Sequence, residues 1–388
     1  MATDNKNKVL NVPNLRFPEF KEAWKDSNIG KCFDLYSGNT PSRMEKEHFI
    51  GDVNWITSGE LKEHYIGDTK ERISEKAAAD NNLRILPVGT FVMAIYGLEA
   101  EGVRGTCSIT VKTSTISQAC MAFTPKSNVS NEFLYSWYKK HGNKIGIRYA
   151  QGTKQQNLSY DIIEKFPIRY PSIEEQEKLN TFISLLDSRI ATQNKIIEDL
   201  KKLKVAIRDK QLNAIRKHYG LNYQICDLLD YEQPTKYVVT DTEYSEDRSK
   251  TPVLTANKAF ILGYTDENFG VYDNGACIIL DDFTLDCKYV DFPFKVKSSA
   301  IKILTVKNSY SLRYVYEYLN YLNLETTEHK RHYISEIEPM MIAYPTDKKK
   351  IDDFNNMMSS LESKIEIENK YLQSLLAQKS YLLSNMFI

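Results

Sequence analysis

The chain has 388 residues, 42% of them hydrophobic, and its 51 basic and 51 acidic side chains cancel. This length allows two or three domains with separate cores. A net charge of zero gives no general attraction to nucleic acid, so any phosphate-binding surface must come from uneven charge distribution. The sequence has neither the apolar run of a membrane span nor that of a secretory signal. It therefore predicts a folded, multidomain, cytoplasmic protein that does not enter a membrane.

The six cysteines lie far apart in the sequence. They lack the Cys-x-x-Cys spacing that structural zinc sites use. Reduced, mostly buried thiols are therefore predicted, rather than disulfides or metal ligands.

In chain order, an N-terminal arm over residues 1–24 precedes two β-rich segments, each followed by a long helix. The segments 25–171 and 219–345 are rich in Val, Ile, Thr, Tyr and Phe and are interrupted by Gly, Pro and Asn. This composition predicts strands with a few helices. The segments 172–218 and 346–388 have apolar residues at alternating three- and four-residue steps, which predicts long helices.

The two β-rich segments have comparable predicted elements. In each of them a helix with similar aromatic spacing follows the strands, so we expect one shared fold although the sequences have diverged. Predicted strands cover 89–96, 107–111, 276–280 and 300–306, and predicted helices include 133–138 and 314–319.

The two long helices repeat one sequence pattern. The stretch Leu186–Leu200 returns 175 positions later as Leu361–Leu375, and like charges are kept where Asp187 corresponds to Glu362. A Tyr-Pro pair ends the segment that precedes each helix. Such a period has the size of a domain, not of a short solenoid repeat. It predicts one architectural unit used twice, as a pseudo-two-fold internal repeat.

Both long helices carry a heptad pattern, interrupted by polar Gln193 in the first and Glu368 in the second. In the first helix the apolar series continues through Leu203 and Ile207. A strict heptad period predicts that the helices pack together as an antiparallel coiled coil; the alternative is two unrelated surface helices. The predicted seam consists of Ile183, Leu186, Ile190, Ile197, Leu200, Met358, Leu361, Ile365, Leu372 and Leu375.

These elements predict a mixed α/β (α+β) fold in which two β-rich domains are joined by two long helices. Matched helices with divergent domains are typical of a protein that binds two different targets from one frame. An adenine methyltransferase would need an Asn/Asp-Pro-Pro-aromatic loop, which the sequence lacks. No catalytic residue is predicted, and the chain is not expected to be an enzyme.

Other ligand motifs are also weak. Gly97, Gly102 and Gly105 do not have the spacing of a dinucleotide-binding turn and are predicted to be turn residues. The stretch from Gly146 to Lys154 has the wrong order for a phosphate loop. The pair His329-x-x-His332 could hold a metal, but no Cys or carboxylate pair accompanies it, so contact with phosphate is preferred and no metal site is predicted.

Several motifs of the first half stand in a characteristic order and spacing. Together with the helix repeat they resemble the DNA-specificity subunits of type I restriction-modification systems. The resemblance covers essentially the whole chain and is weakest in the second β-rich segment, where Val253–Asn257 and His329–His332 are the counterparts. The motifs are 14–24, 29–35, 37–42, 55–61, 86–91, 152–158 and 166–176.

The resemblance implies a non-catalytic subunit whose two recognition domains each contact half of a split target in double-stranded DNA. The paired helices would set the separation of the half-sites, in keeping with the fixed spacing that such binding requires. They would also dock methyltransferase subunits, and motor-nuclease restriction subunits would join the full assembly. No cofactor is expected in this chain; S-adenosylmethionine belongs to the methyltransferase partner.

The predicted DNA contacts centre on the polar turn from Gly152 to Asn157. Lys154 could reach phosphate or guanine, and the amides of Gln155, Gln156 or Asn157 could bond an adenine edge. The alternative is a solvated polar turn in which an asparagine caps the next helix. The predicted DNA-binding residues are Thr40, Ser42, Thr57, Ser58, Glu60, Gly152, Thr153, Lys154, Gln155, Gln156, Asn157, Asn257, Lys258, His329, Lys330, Arg331 and His332.

Basic residues also collect along the first long helix. They could face DNA between the half-sites, acidic residues of a partner, or solvent. A protein-binding scaffold without DNA specificity is the main alternative function, and a nuclease acting alone ranks last because no cluster of metal-binding carboxylates is visible. The basic residues are Lys195, Lys201, Lys202, Lys204, Arg208, Lys210, Arg216 and Lys217.

Overall fold

A computed structural model describes residues 11–100, 102–152, 156–257, 259–326, 328 and 330–388. The chain divides into two compact units. The first comprises the residues up to Gln193 together with Tyr371–Ile388, and the second comprises Asn194–Lys370.

The first unit contains a mostly antiparallel sheet with the strand order β2-β9-β6-β7-β4, a smaller sheet with the order β5-β3-β8, and a β1-β10 pair. In the larger sheet Phe91 lies opposite both Phe123 and Ile109. The strands are Lys25–Asn28 (β1), Phe33–Ser37 (β2), Val53–Ile56 (β3), Tyr65–Ile66 (β4), Arg72–Ile73 (β5), Phe91–Ala94 (β6), Cys107–Thr110 (β7), Ser114–Ile116 (β8), Cys120–Pro125 (β9) and Pro167–Tyr170 (β10).

Serine caps begin two helices of this unit. The side chain of Ser130 accepts a hydrogen bond from the Phe133 amide, and that of Ser74 accepts one from the Ala77 amide, which satisfies an amide that the first helical turn leaves unpaired. The helices are Ile29–Cys32 (α1), Glu75–Asp80 (α2), Asn131–Tyr149 (α3), Tyr160–Glu164 (α4) and Ile173–Tyr219 (α5), and 3-10 turns cover Lys46–Phe49 and Ser58–Glu60.

The second unit contains sheets with the orders β12-β18-β15-β16 and β14-β13-β17, and a β11-β19 pair. The strands are Tyr223–Gln224 (β11), Leu229–Glu232 (β12), Thr251–Leu254 (β13), Ile261–Thr265 (β14), Cys277–Asp281 (β15), Cys287–Val290 (β16), Lys295–Val296 (β17), Ile301–Val306 (β18) and Met341–Ile342 (β19). The helices are Ile225–Leu228 (α6), Leu312–Leu322 (α7) and Lys348–Met386 (α8), with a 3-10 turn over Pro234–Tyr237 and a π turn over Tyr333–Ile337.

The strand order and direction in the second unit match those in the first. In each smaller sheet the central strand, β3 or β13, pairs antiparallel with one neighbour and parallel with the other. In each larger sheet the neighbours β2-β9-β6-β7 and β12-β18-β15-β16 all pair antiparallel. The strands predicted from sequence are confirmed with ends that differ by up to two residues, and the predicted helices lie inside α3 and α7.

Separate apolar cores hold the sheets together. One core joins Phe91, Phe123 and Trp137 in the first unit. The second unit has one core around Tyr314 and another around Phe294. The six cysteines are free thiols in this structure, and each is buried or half-buried.

Within the first unit, the start of α5 packs against the end of α8. Leu179 and Ile183 of α5 share a buried cluster with Leu375 and Leu382 of α8. Asp187 pairs with Lys379, and two residues further along α5 Arg189 contacts Tyr371. The later residue on α5 contacts the earlier residue on α8, so these two segments run antiparallel.

The same arrangement occurs within the second unit. Leu212 of α5 is buried together with Phe354 and Met358 of α8. Lys204 faces Glu362, whereas the later residue Tyr219 lies 5.1 Å from the Nζ of Lys350, so these segments also run antiparallel.

The ten predicted seam residues are all buried or half-buried. The prediction for Leu203, however, is wrong, because its side chain is 47% exposed. Lys204 turns inward beside it and meets the buried carboxylate of Glu317 at 3.0 Å. At this point α5 therefore makes a charged contact with α7.

Each described helix is too short or too polar to cross a lipid bilayer.

Candidate nucleic-acid interface

The loops that follow β2, β3, β6 and β8 meet at one edge of the first unit. The amide of Ser117 donates to the carbonyl of Ile56 (2.9 Å), and the amide of Asn39 donates to the carbonyl of Ile116 (3.2 Å). The Ala119 carbonyl accepts from the amide of Ile95 at 2.9 Å. Backbone bonds thus hold four loops, from distant parts of the sequence, in one surface.

Thr40 belongs to this surface. Its hydroxyl donates to the side chain of Gln118, an exposed residue in the loop after β8. The carbonyl of Asn39 accepts from the indole nitrogen of Trp55 at 3.1 Å, which fixes the turn beneath Thr40. Ser42 is exposed and accepts a bond from the Met44 amide.

Thr57 and Glu60 stabilise their own turn. The Thr57 amide and hydroxyl donate to Glu60 Oε2 at 3.0 and 2.7 Å, and the amide of Lys70 donates to Glu60 Oε1 at 2.7 Å. Both carboxylate oxygens of Glu60 are therefore used inside the loop. Ser58, between them, is half-buried.

The described residues at the two ends of the predicted turn, 151–152 and 156–157, lie together on the same edge, and we call these residues the hairpin. Gln151 and Asn157 exchange two backbone hydrogen bonds, at 2.8 and 2.9 Å. Gly152 has a φ of 108°, which a side chain would strain. The next amide, of Leu158, donates to the Ile95 carbonyl, so the hairpin is joined to the β6 loop. Thr153, Lys154 and Gln155 lie outside the described residues.

Gln156 is held from two sides. Its side-chain oxygen accepts from Arg104 Nη2 at 2.8 Å, and its backbone amide donates to Glu99 Oε2 at 2.8 Å. The second bond lowers the pKa of Glu99. The Arg104 stem lies against Gly146 of α3, where an added Cβ would be 2.5 Å from Arg104 Cγ. The acceptor end of the Gln156 amide is thus occupied, and its N–H donors are the groups suited to bond a base.

Sequence reasoning missed Arg104 and Glu99 as parts of this edge. The three glycines around them carried the signal: Gly97, Gly102 and Gly105 have φ values of 74, 75 and 75°, which confirms their prediction as turn residues. Tight turns there bring Glu99 and Arg104 to the hairpin. A search for charged residues between turn glycines would have found both.

The second unit builds a comparable edge with equivalent backbone bonds. The Lys297 amide donates to the Leu254 carbonyl (3.0 Å), as Ser117 does to Ile56 in the first unit. The Asp282 amide donates to the Ala300 carbonyl (2.9 Å), as Ile95 does to Ala119.

A third bond completes the match. The His332 amide donates to the Asp282 carbonyl at 3.0 Å, as Leu158 does to Ile95. Because His332 corresponds to Leu158, Lys330 and Arg331 occupy the positions of Gln156 and Asn157.

The predicted residues of the second edge differ in exposure. Asn257 and Arg331 are exposed. Lys330 is exposed too but lies 2.6 Å from Glu328 and 3.0 Å from Glu336. Lys258 and His329 lie outside the described residues.

His332 is buried, at 2% exposure. Its ring nitrogens lie 2.9 Å from Glu336 Oε2 and 2.8 Å from Thr326 Oγ1. The hydrogen bond with Glu336 raises the pKa of His332. The ring therefore stabilises the loop, and phosphate contact would require an exposure that it lacks. In the described part of the chain no three His, Cys, Asp or Glu residues are grouped to hold a metal.

Several basic residues of α5 are paired within the chain. Lys202 lies 2.6 Å from Glu198 and Lys204 lies 3.0 Å from Glu317, and Arg208 lies 2.9 Å from Asp209. The exposed ones are Lys195, Lys201, Lys202, Lys210, Arg216 and Lys217.

Residues 21–202, which carry the whole of the first edge, match the family model described as the type I restriction modification DNA specificity domain. Over this stretch the chain is similar to the type I DNA specificity domain family. The resemblance predicted from the sequence motifs is thereby confirmed.

Two specificity subunits have sequences similar to parts of this chain. The chain is 48% identical over 125 residues to the type I restriction enzyme EcoR124I/EcoR124II specificity subunit of Escherichia coli. It is 30% identical over 233 residues to the MjaIX specificity subunit of Methanocaldococcus jannaschii. The alignments cover 31% and 57% of this chain, and 31% and 53% of those relatives.

Solved structures share the fold of these specificity domains over a longer range. The type I S subunit from M. genitalium matches with a TM-score of 0.58 at 16% identity, over 97% of this chain and 99% of its own. A second solved structure comes from a study of complex assembly and conformational transition in the type I system. It also matches with a TM-score of 0.58, at 11% identity, over 94% of this chain and 97% of its own. The predicted mixed α/β class is confirmed at this level.

Proposed function

We propose that this chain is a DNA-specificity subunit that recognises a bipartite target in double-stranded DNA, one half with each unit. The observation that carries the proposal is the repeated loop edge, built twice from one strand order and equivalent backbone bonds. Side-chain amides and cations lie at corresponding positions of these edges. Such groups bond base edges and phosphates.

We infer further that α5 and α8 form an antiparallel coiled coil that spaces the two recognition domains. The antiparallel contacts within each unit and the 175-residue repeat support a pseudo-two-fold arrangement. The proposed domains remain 25–171 and 219–345, with the arm 1–24 and the spacer helices 172–218 and 346–388 around them.

The remaining roles are assigned to partners. In this proposal the chain is non-catalytic and cytoplasmic, and directs methyltransferase and restriction subunits to the target. S-adenosylmethionine would be held by the methyltransferase. The resemblance to other specificity subunits supports these assignments, and a structural neighbour comes from work on assembly of a type I system.

A protein scaffold without DNA specificity is less well supported. A scaffold has no need for two matched loop edges that present Gln156 and Asn157 on one unit and Lys330 and Arg331 on the other. The DNA specificity domain over residues 21–202 also favours the first function.

The two functions differ in DNA affinity. We would purify the chain with its methyltransferase partner and titrate double-stranded DNA at increasing salt concentrations. A specificity subunit predicts an affinity that falls linearly on a log–log plot as salt rises, because phosphate contacts release counterions. A complex with no measurable affinity at any salt concentration would favour the scaffold.

A further inference from the structure

A group of charges in the first unit joins the β-rich domain to both long helices. Asp187 on α5 pairs with Lys379 on α8. The other Asp187 oxygen, Oδ2, is 3.8 Å from Nδ1 of His64, which belongs to the loop before β4. The opposite ring nitrogen of His64 lies 2.9 Å from Glu132 in the first turn of α3.

The ring of His64 is fixed in position. It is stacked between the side chains of Tyr65 and Tyr135, with ring centroids 4.1 and 3.8 Å away. The ring therefore lies between two carboxylates, at hydrogen-bond distance from Glu132 on α3 and at 3.8 Å, beyond that distance, from Asp187 on α5.

The second unit has a comparable group. Glu362 on α8 pairs with Arg313 in the first turn of α7 and lies 3.6 Å from Lys204 on α5. Lys204 also lies 3.0 Å from Glu317 of α7, whose side chain is 1% exposed. Here too, three helices meet at one set of charges.

The two groups occupy corresponding positions in the repeat. Glu362 stands 175 positions after Asp187, and Lys379 stands 175 positions after Lys204. Each group therefore contains one acid and one lysine from the two long helices, with the helices exchanged. We name these groups the first joint (His64, Glu132, Asp187, Lys379) and the second joint (Lys204, Arg313, Glu317, Glu362).

The residue that the shorter helix, α3 or α7, contributes from its first turn has opposite charge in the two joints: Glu132 in the first and Arg313 in the second. Glu132 and Arg313 each stand two residues after the serine that caps its helix, Ser130 or Ser311. The first joint needs His64 to link an acid on α3 to the acid on α5. The second joint places an arginine directly against its acid.

We propose that the two joints fix the angle at which each recognition domain is held on its helices, and that they thereby help to determine which half-site spacing the chain accepts. This inference rests on the proposed function. Charge pairs suit the task because their strength depends on the distance between the charges, so a shift of the domain on its helices weakens them. In both units the joint lies where the domain meets the helix pair.

The test compares Lys204→Met with Lys202→Met in the purified methyltransferase complex. Lys202 is two residues away on α5, and its ion pair with Glu198 is exposed, so it controls for the loss of a lysine. Once the target of the wild-type complex is known, methylation rates are measured on DNA with the native spacer and with one base pair removed or added. We expect Lys204→Met to reduce the preference for the native spacer about tenfold, since small misplacements of reacting groups change rates by such factors.

Lys204→Arg keeps the charge and is expected to restore most of the preference. His64→Phe tests the first joint independently, because it keeps a ring between Tyr65 and Tyr135 but removes both nitrogens; it is expected to reduce the preference as well. Thermal unfolding of each complex identifies variants that fail to fold.

The outcomes separate the two claims. If folded Lys204→Met and His64→Phe complexes keep the spacer preference of the Lys202→Met control, the joints do not set spacing and the inference is wrong, while the proposed function stands. If the wild-type complex methylates no split target at all, the proposed function fails first.

Discussion

In the proposed function, the contact between Gln156 and Arg104 is the one on the first edge that bears most directly on base recognition. Arg104 occupies the acceptor of the Gln156 amide at 2.8 Å, and Gly146 leaves room for the Arg104 stem. The amide is thus oriented within the chain itself. An oriented amide loses little conformational freedom on binding, which favours specific contact.

Replacement of Gln156 by Ala is expected to relax recognition at a single base position. A lost base contact costs about 1–3 kcal/mol of discrimination. The measurement is the methylation rate on a set of targets, each with one base pair changed. Gln373→Ala, at an exposed position on α8, serves as the control. A uniform loss on all targets would assign Gln156 to backbone contact instead.

Lys295 and Glu267 form a buried pair in the second unit. Lys295 is fully buried, and its Nζ lies 2.7 Å from Glu267 Oε2 and 2.8 Å from the Phe269 carbonyl oxygen. Burial by itself would raise the pKa of Glu267, but hydrogen bonds from Lys295, Thr240 and Asp241 outweigh it and lower the pKa to about 2.

The pair should make stability depend on pH. Because the folded pKa of Glu267 lies below its ordinary value of 4.5, its stabilisation is complete above pH 4.5 and is lost as the pH falls toward about 2. Glu267→Gln should remove this part of the pH dependence.

At neutral pH Glu267→Gln should lower the free energy of unfolding by about 3 kcal/mol, because it leaves Lys295 buried without a counter-charge. Chemical unfolding of wild type and variant between pH 2.5 and 7 checks both points. Parallel pH profiles for the two proteins would contradict them.

Among the elements, the long helices were the most predictable from sequence, because heptad spacing depends only on local periodicity. The observed Ile173–Tyr219 and Lys348–Met386 start and end within two residues of the predicted 172–218 and 346–388. The prediction that Leu203 continues the apolar series of the helix pair failed because Lys204 turns toward the buried Glu317. This tertiary contact cannot be predicted from the periodicity of the sequence.

Met358 of α8 is fully buried against the second core. Met358→Ala is expected to lower the free energy of unfolding by about 3 kcal/mol, through lost burial and the cavity left behind. Ile367, on the same helix, is 59% exposed, and its replacement by Ala should stay within about 0.5 kcal/mol. Equal effects in urea unfolding would show that α8 is not packed as described.

For the whole molecule, the mixed α/β class could be predicted from the sequence, but the composition of the loop edges could not. The helix repeat is visible in the sequence because six of its fifteen positions are identical at a constant offset, whereas the edges are formed by loops far apart in sequence. The bond between Gln156 and Arg104 spans 52 positions, and the match of His332 with Leu158 rests on backbone bonds alone. Motif similarity found the hairpin, and the fold was needed to find its partners.

The two edges present different chemistry at corresponding positions. Gln156 and Asn157 offer amides, whereas Lys330 and Arg331 offer cations. Such edges would recognise different base sequences, so the two halves of the target are expected to differ.

The most direct test of the central claim is a map of methylated adenines in cells that express the chain with its methyltransferase partner, obtained by single-molecule sequencing. Cells without the chain are the control. The account predicts a split, asymmetric motif that is methylated only when the chain is present. Methylation at a continuous motif, or a pattern unchanged by deletion of the chain, would contradict it.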